Sequence, residues 1–185
     1  MFNEKEVINR ILNGDMQAFK LIVEQYEKLV FIVLSRLIVN KEDVKDVCQD
    51  TFIKVYKNLS GFKFQSKLST WIAKIAYFSA INYLKKHEKQ KADPHSENLD
   101  NYYFTEESPE RLTIKKDASA YINHLIEQLP LNYKTVLTLY HVNEFSYQEI
   151  EQVTGLPEGT VKGYLFRARK LLKEKSENYY KNDLT

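Results

Sequence analysis

At 185 residues the chain is long for one small domain and comfortable for two, and 43% hydrophobic residues are enough to build cores. The formal net charge is only +2, so overall charge does not announce a nucleic-acid binder. A single cysteine, Cys48, excludes an intramolecular disulfide and a cysteine metal cluster, the four histidines lack close ligand spacing, and no signal peptide or membrane-length apolar run is present; a cytoplasmic chain without metal, cofactor or membrane insertion is expected.

The first helix is predicted over about Glu4–Asn13, with Val7, Ile8, Ile11 and Leu12 on one face and Gly14 ending it. Asp15 can cap a long second helix of roughly Met16–Val39. Its buried positions are expected to be Phe19, Ile22, Val23, Tyr26, Leu29, Val30, Val33, Leu34 and Leu37. A third helix covers about Lys41–Leu59, with Val44, Val47, Cys48, Thr51, Phe52 and Val55 inside. Asp46, Gln49 and Asp50 fall on its outer side with Asp43, and Ile53 extends that face. Such a face is either a solvated surface of a bundle helix or a docking surface for a basic partner helix.

Residues 60–68 read as a loop, and Ser69 or Thr70 can cap a fourth helix reaching about Lys86. This segment interleaves Phe62, Phe64, Trp71, Tyr77, Phe78 and Tyr83 with Lys63, Lys67, Lys74, Lys85 and Lys86. Aromatics beside cations suit single-stranded nucleic acid, since each stacked base contributes about 1–3 kcal/mol and lysines track phosphates. The alternative is that these aromatics are core, which is the reading taken for Trp71.

Periodicity fades from about His87 to Thr113. Asp93–Glu110 holds six carboxylates and no Lys or Arg, while both flanks are rich in Lys. That pattern marks an acidic linker between two basic bodies. A helix of about Asp117–Gln128 follows, presenting Ala118, Tyr121, Ile122, Leu125 and Leu129, and Pro130 breaks it. Asn132 can cap another helix to about His141, with Val136, Leu137, Leu139 and Tyr140 inside.

The last stretch, Phe145–Lys175, is the most informative. Ser146 and Glu149 are spaced as a capping box, Gly155 suits a left-handed C-terminal cap, and Pro157 suits the first turn of a second helix. That helix carries Val161, Leu165, Ala168, Leu171 and Leu172 at helical spacing, with Lys162, Arg167, Arg169, Lys170, Lys173 and Lys175 on its other faces. A short helix, a glycine turn and a basic second helix make a helix-turn-helix, whose second helix enters the major groove. The bland alternative is a surface helical hairpin with a solvated basic face.

Three blocks carry a resemblance: DVKDVCQDTFIKVYKNLSGF at 43–62, STWIAKIAYFSAINYLKK at 69–86, and LPLNYKTVLTLYHVNEFSYQEIEQVTGLPEGTVKGYLFRARKLL at 129–172, with NGDMQAFKLIVEQY near the start. The chain resembles the extracytoplasmic-function sigma factors, the two-domain promoter-specificity subunits of bacterial RNA polymerase. The resemblance implies an all-α fold of two helical domains joined by an acidic linker, the C-terminal one a helix-turn-helix: 1–88 for polymerase binding and −10 melting, 89–113 as linker, 114–178 for the −35 element. It implies polymerase-core binding, to the β′ coiled coil, through Asp46, Gln49, Asp50 and Ile53, and contact with the β flap. The −10 element is expected to meet Phe62, Phe64, Lys67, Trp71, Lys74, Tyr77 and Phe78. The −35 element is expected to meet Lys162, Gly163, Phe166, Arg167 and Lys170.

An anti-sigma partner, often membrane-bound, is also implied. The chain departs from the family's usual pattern at Phe78, where Asn is common, and at Gly163-Tyr164, where Ser-Arg is common. These departures bear on promoter preference. A rival reading is a stand-alone helix-turn-helix regulator. An enzyme is a third class, but Asp46 and Asp50 lack an accompanying nucleophile, metal set or phosphate loop.

Overall fold

The computed structural model describes residues 3–91 and 118–182, and among these every regular element is helical. Most of the linker expected over 89–113 lies outside the described residues. Four helices form the N-terminal half: α1 (Glu4–Leu12), α2 (Ala18–Ser35), α3 (Lys41–Asn58) and α4 (Leu68–Lys91), with a 3-10 turn at Leu59–Gly61. Four more follow: α5 (Ala118–Glu127), α6 (Leu131–His141), α7 (Tyr147–Thr154) and α8 (Glu158–Asn182).

Local chemistry sets most boundaries. Asn3 and Asn40 cap α1 and α3, each side chain accepting from a backbone N–H in the first turn. Gly14, at φ 96°, turns the chain after α1, and Asp15 Oδ1 accepts from Ala18 N at the start of α2. The long second helix is shorter than its periodicity suggests. It stops at Ser35, and Leu37 and Ile38 are buried in the non-helical segment that follows. Leu12 and Ile122, expected inside, are half exposed; Val7, Ile8 and Ile11 carry the inner face of α1. Pro130, rather than Asn132, occupies the N-cap of α6.

The capping box is formed in both directions. Ser146 Oγ accepts from Glu149 N at 3.2 Å, and Glu149 Oε2 accepts from Ser146 N at 2.8 Å. Gly155 closes α7 at φ 78°, donating to Glu151 O, and Pro157 immediately precedes α8. Ser146→Ala is expected to cost about 1 kcal/mol, the usual value of an N-cap. Thermal unfolding of the purified protein measures it.

The two halves pack on one another. In the N-terminal half α2, α3 and α4 contact one another pairwise, and α1 lies on α2. In the C-terminal half α8 rests on α6 and α7. The contact that joins them is α7 against α4, supported by α2 against α6. The buried apolar cluster therefore includes Ile22, Val30, Leu34, Val44, Val55, Leu68 and Ile72 from one half and Val136, Leu139, Ile150, Val153, Val161 and Leu165 from the other.

Candidate nucleic-acid and polymerase interfaces

The buried stripe of α8 is Val161, Leu165 and Ala168, all 0–1% exposed. Helical geometry then turns Lys162, Phe166, Arg167 and Lys170 outward, and all four are exposed. Phe166 is 69% exposed, an unusual position for a phenyl ring on a helix with a well-formed apolar side. Gly163 is half exposed, and a Cβ added there meets nothing within 4 Å. The fourth helical partner of that turn, Tyr164, faces another way: its ring packs 5.1 Å from Tyr133 of α6. The Gly-Tyr departure thus places a phenol in an internal contact.

Neighbouring side chains hold the basic face in place. Lys162 Nζ lies 2.5 Å from Glu158 Oε1 and 5.2 Å from the Tyr147 ring centroid. Glu158 and then Tyr147 raise the ammonium above the usual lysine range. Gln148 Nε2 donates to the other Glu158 oxygen. Arg169 sits over Tyr140, which stacks on Tyr147, and its Nε donates to His141 Nε2 at 3.3 Å. Burial and then the Arg169 charge lower the His141 pKa, favouring the neutral ring that can accept this bond.

On α3, Asp46, Gln49, Asp50 and Ile53 are all exposed on one side, and neither carboxylate forms an ion pair among the described residues. The opposite side of the helix (Val44, Val47, Thr51, Phe52, Val55) is buried. The acidic patch is therefore held on a well-anchored helix, its two carboxylates outside any ion pair among the described residues.

The aromatic and basic segment divides into two sets. Phe64 and Phe78 are 45% and 41% exposed, whereas Phe62 and Tyr77 are 7% and 8% exposed. Phe62 lies between Phe64, at 4.8 Å between centroids, and Trp71, at 5.2 Å. Tyr77 meets Phe78 edge-on at 5.3 Å, and burial raises its phenol pKa. Phe62 and Tyr77, expected among the DNA contacts, thus support the exposed rings from beneath. Trp71, expected in the core, is half buried and reaches a surface cleft.

That cleft, about 520 Å³, lies between the end of α3 and α4. Trp71, Lys74 and Phe78, three of the expected −10 contacts, line it, and so do Lys54, Asn58 and Asn82, which sequence reasoning did not single out. Lys54 Nζ donates to Ser79 Oγ at 3.0 Å. Two lysines and no carboxylate line the cleft, so its chemistry suits an anionic ligand with an aromatic face. Lys54 and Asn58 sit four apart on one helical face, a visible signal, but their partnership with α4 is tertiary.

Lys67 and the start of α4 differ from expectation. Neither Ser69 nor Thr70 caps the helix; α4 begins at Leu68, and Trp71 N donates to Lys67 O. Thr70 is 1% exposed and its hydroxyl donates to Glu149 Oε1 of α7 at 3.3 Å. Lys67 Nζ pairs with the same oxygen at 2.9 Å. Burial pushes the Glu149 carboxyl up, but the Ser146 N–H, Lys67 and the Ser146 hydroxyl outweigh it and hold it below the usual carboxylate range. A carboxyl depressed in the folded state contributes stability above its unfolded pKa, lost as pH falls through the lowered value.

Two family models match the chain, Sigma-70 region 2 over residues 22–90 and Sigma-70, region 4 over residues 119–172. The RNA polymerase sigma-H factor of Pseudomonas aeruginosa is 31% identical over 176 residues, covering 91% of each chain. The ECF RNA polymerase sigma-E factor of Escherichia coli K12 is 32% identical over 179 residues, covering 93% of each. Among solved structures, CnrH in complex with the cytosolic domain of CnrY superposes with a TM-score of 0.68 at 18% identity, covering 95% of this chain and 97% of that one. The sigma factor RpoE in complex with the anti-sigma factor NepR from Bartonella quintana gives 0.65 at 20%, covering 86% and 96%. The structural likenesses carry the fold, and relatives 31–32% identical over more than nine tenths of the chain carry the family. With a region 2 and a region 4 in that order on one chain whose described elements are all helical, the protein belongs to the extracytoplasmic-function sigma factors of the sigma-70 family.

Proposed function

We propose that the chain is a non-catalytic initiation factor that recruits core RNA polymerase to a set of promoters and helps open them. The N-terminal half, 1–88, docks on polymerase and captures the −10 element; the C-terminal half, 114–178, grips the −35 duplex. The observation that carries this reading is the outward face of α8. Lys162, Phe166, Arg167 and Lys170 are exposed directly behind a fully buried apolar stripe, the arrangement a recognition helix needs.

The work divides among the surfaces. Asp46, Gln49, Asp50 and Ile53 supply an acidic, partly apolar patch for a basic coiled coil of the β′ subunit, and the C-terminal half meets the β flap. Phe64 and Phe78 replace the stacking that separated bases lose, with Trp71 at the wall of the cleft. Lys67, Lys74 and Lys54 hold the freed backbone. Phe62 and Tyr77 keep the exposed rings in position. Phe78 stacks but offers no hydrogen bond, so discrimination in the cleft falls to Asn58, Ser79 and Asn82. An anti-sigma factor that covers these surfaces controls the protein. Free or sequestered, the chain works in the cytoplasm, with membrane attachment supplied only by that partner.

Transcription in vitro with purified core polymerase, followed by start-site mapping, tests the reading. Start-site selectivity that appears only with the protein supports it. Tight, specific duplex binding without polymerase supports the stand-alone regulator instead. Lys162→Ala and Arg167→Ala are expected to weaken promoter binding by the holoenzyme, by about 1–3 kcal/mol where the side chain reads a guanine edge and with a salt slope lower by about 1 where it meets a phosphate. A footprint over the −35 region unaltered by both changes counts against the assignment.

A further inference from the structure

We infer that the free protein holds itself shut through Glu149, whose carboxylate takes the place of a DNA phosphate on Lys67. The inference rests on the reading of Lys67 as part of the −10 surface. Glu149 belongs to the half that grips duplex DNA, and Lys67 and Thr70 belong to the half that captures the melted strand. One carboxylate serves both. Its Oε2 accepts the Ser146 N–H of the capping box, and its Oε1 receives Lys67 at 2.9 Å and the Thr70 hydroxyl at 3.3 Å. The capping box fixes the side chain before the halves meet, so little rotamer freedom is lost when the bridge forms.

A second clasp lies away from both DNA surfaces. Arg36, at the C-cap of α2, pairs with Glu127 of α5, and its Nη2 donates to Asn123 Oδ1 at 3.1 Å. Lys134 of α6 holds the same Glu127 carboxylate at 3.2 Å. Between the clasps α7 packs on α4, where Thr70 and Ala73 are buried.

Geometry makes this arrangement incompatible with engaging a promoter at two points. Packed helices lie about 8–10 Å apart, so α8, which rests on α7, is within about 20 Å of α4. Two DNA elements roughly 25 base pairs apart are separated by about 85 Å along the axis. The closed chain must open for both halves to reach their elements. Closure costs Lys67 its freedom to bind phosphate while leaving Lys162, Arg167 and Lys170 in solvent.

The test compares the full chain with Glu149→Gln/Arg36→Ala. Gln keeps the N-terminal cap, and neither residue lies in the polymerase or DNA surfaces. Small-angle scattering of the free proteins is expected to give a radius of gyration larger by about 3 Å or more in the double variant. Binding of a fluorescent ten-nucleotide A/T-rich single strand is expected to tighten about fivefold, because a larger fraction of molecules is open. Arg36→Ala alone, with an unaltered capping box, is expected to move both quantities the same way by less. Circular dichroism verifies unchanged helix content. Equal radii, or equal affinities in proteins that bind the strand, overturn the latch. Failure of both wild type and variant to bind the strand overturns the −10 reading and with it the inhibitory role, even where the radii differ.

Discussion

Asp50→Lys is expected to abolish association with core polymerase, lowering affinity about 100-fold or more. Asp50 is exposed on α3 and has no ion-pair partner within the described chain, so its charge is available to a partner. On the proposed docking, reversal replaces an attraction with a repulsion, and truncating one member of a buried charge pair already costs about 2–5 kcal/mol. The fold is expected to tolerate the change. A surface substitution without buried contacts usually shifts stability by about 0.5 kcal/mol or less. The measurement is co-purification with core enzyme beside thermal unfolding of the free variant. Undiminished capture refutes the docking role of this face. Lost capture with a collapsed melting temperature indicates misfolding, and Asp46→Lys on the same helix face then supplies the second measurement.

The other large effect distinguishes the two sets of aromatics. Phe62→Ala is expected to destabilise the protein by about 3–5 kcal/mol, the usual range for deleting a buried phenyl ring. The ring is 7% exposed and sits against both Phe64 and Trp71, so its removal leaves a void between the loop that carries Phe64 and the first turn of α4 that carries Trp71. Phe64→Ala and Phe78→Ala are expected to leave unfolding nearly unchanged and to impair promoter opening instead. Chemical denaturation measures the first effect; permanganate reactivity of unpaired thymines in the holoenzyme complex measures the second. Equal destabilisation by all three substitutions contradicts the division, as does normal opening by the Phe64 and Phe78 variants.

What was legible in the sequence was whatever short-range chemistry decides. Ser146, Glu149 and Gly155 specify their helix within ten residues, and the structure forms both bonds of the box and the left-handed cap. The inner stripes of α3 and α8 follow from helical spacing, and so does the outward display of the acidic and basic faces opposite them. Packing between distant segments was not legible. Thr70 looks like a cap because its hydroxyl is well placed for one, yet the hydroxyl answers a carboxylate 79 positions away. Phe62 and Phe64 are equivalent as letters two apart in a loop. The 3-10 turn before them, the left-handed backbone of Phe64 at φ 55° and Trp71 beyond go with one ring under and the other out. The cleft adds Lys54 and Asn82 for the same reason: its walls come from two helices whose apposition is a tertiary fact.

The contact of α7 with α4 has a bearing on promoter architecture. On the proposed reading, the packing of α7 on α4 brings the halves closer than two promoter elements lie, so this arrangement of the halves does not set the distance between those elements. On the same reading, tolerance for base pairs inserted or deleted between the two promoter elements is set by where the halves dock on polymerase. Inserting a dozen residues between the halves is then expected to leave the optimum spacing unchanged, and moving either proposed docking point on polymerase is expected to shift it.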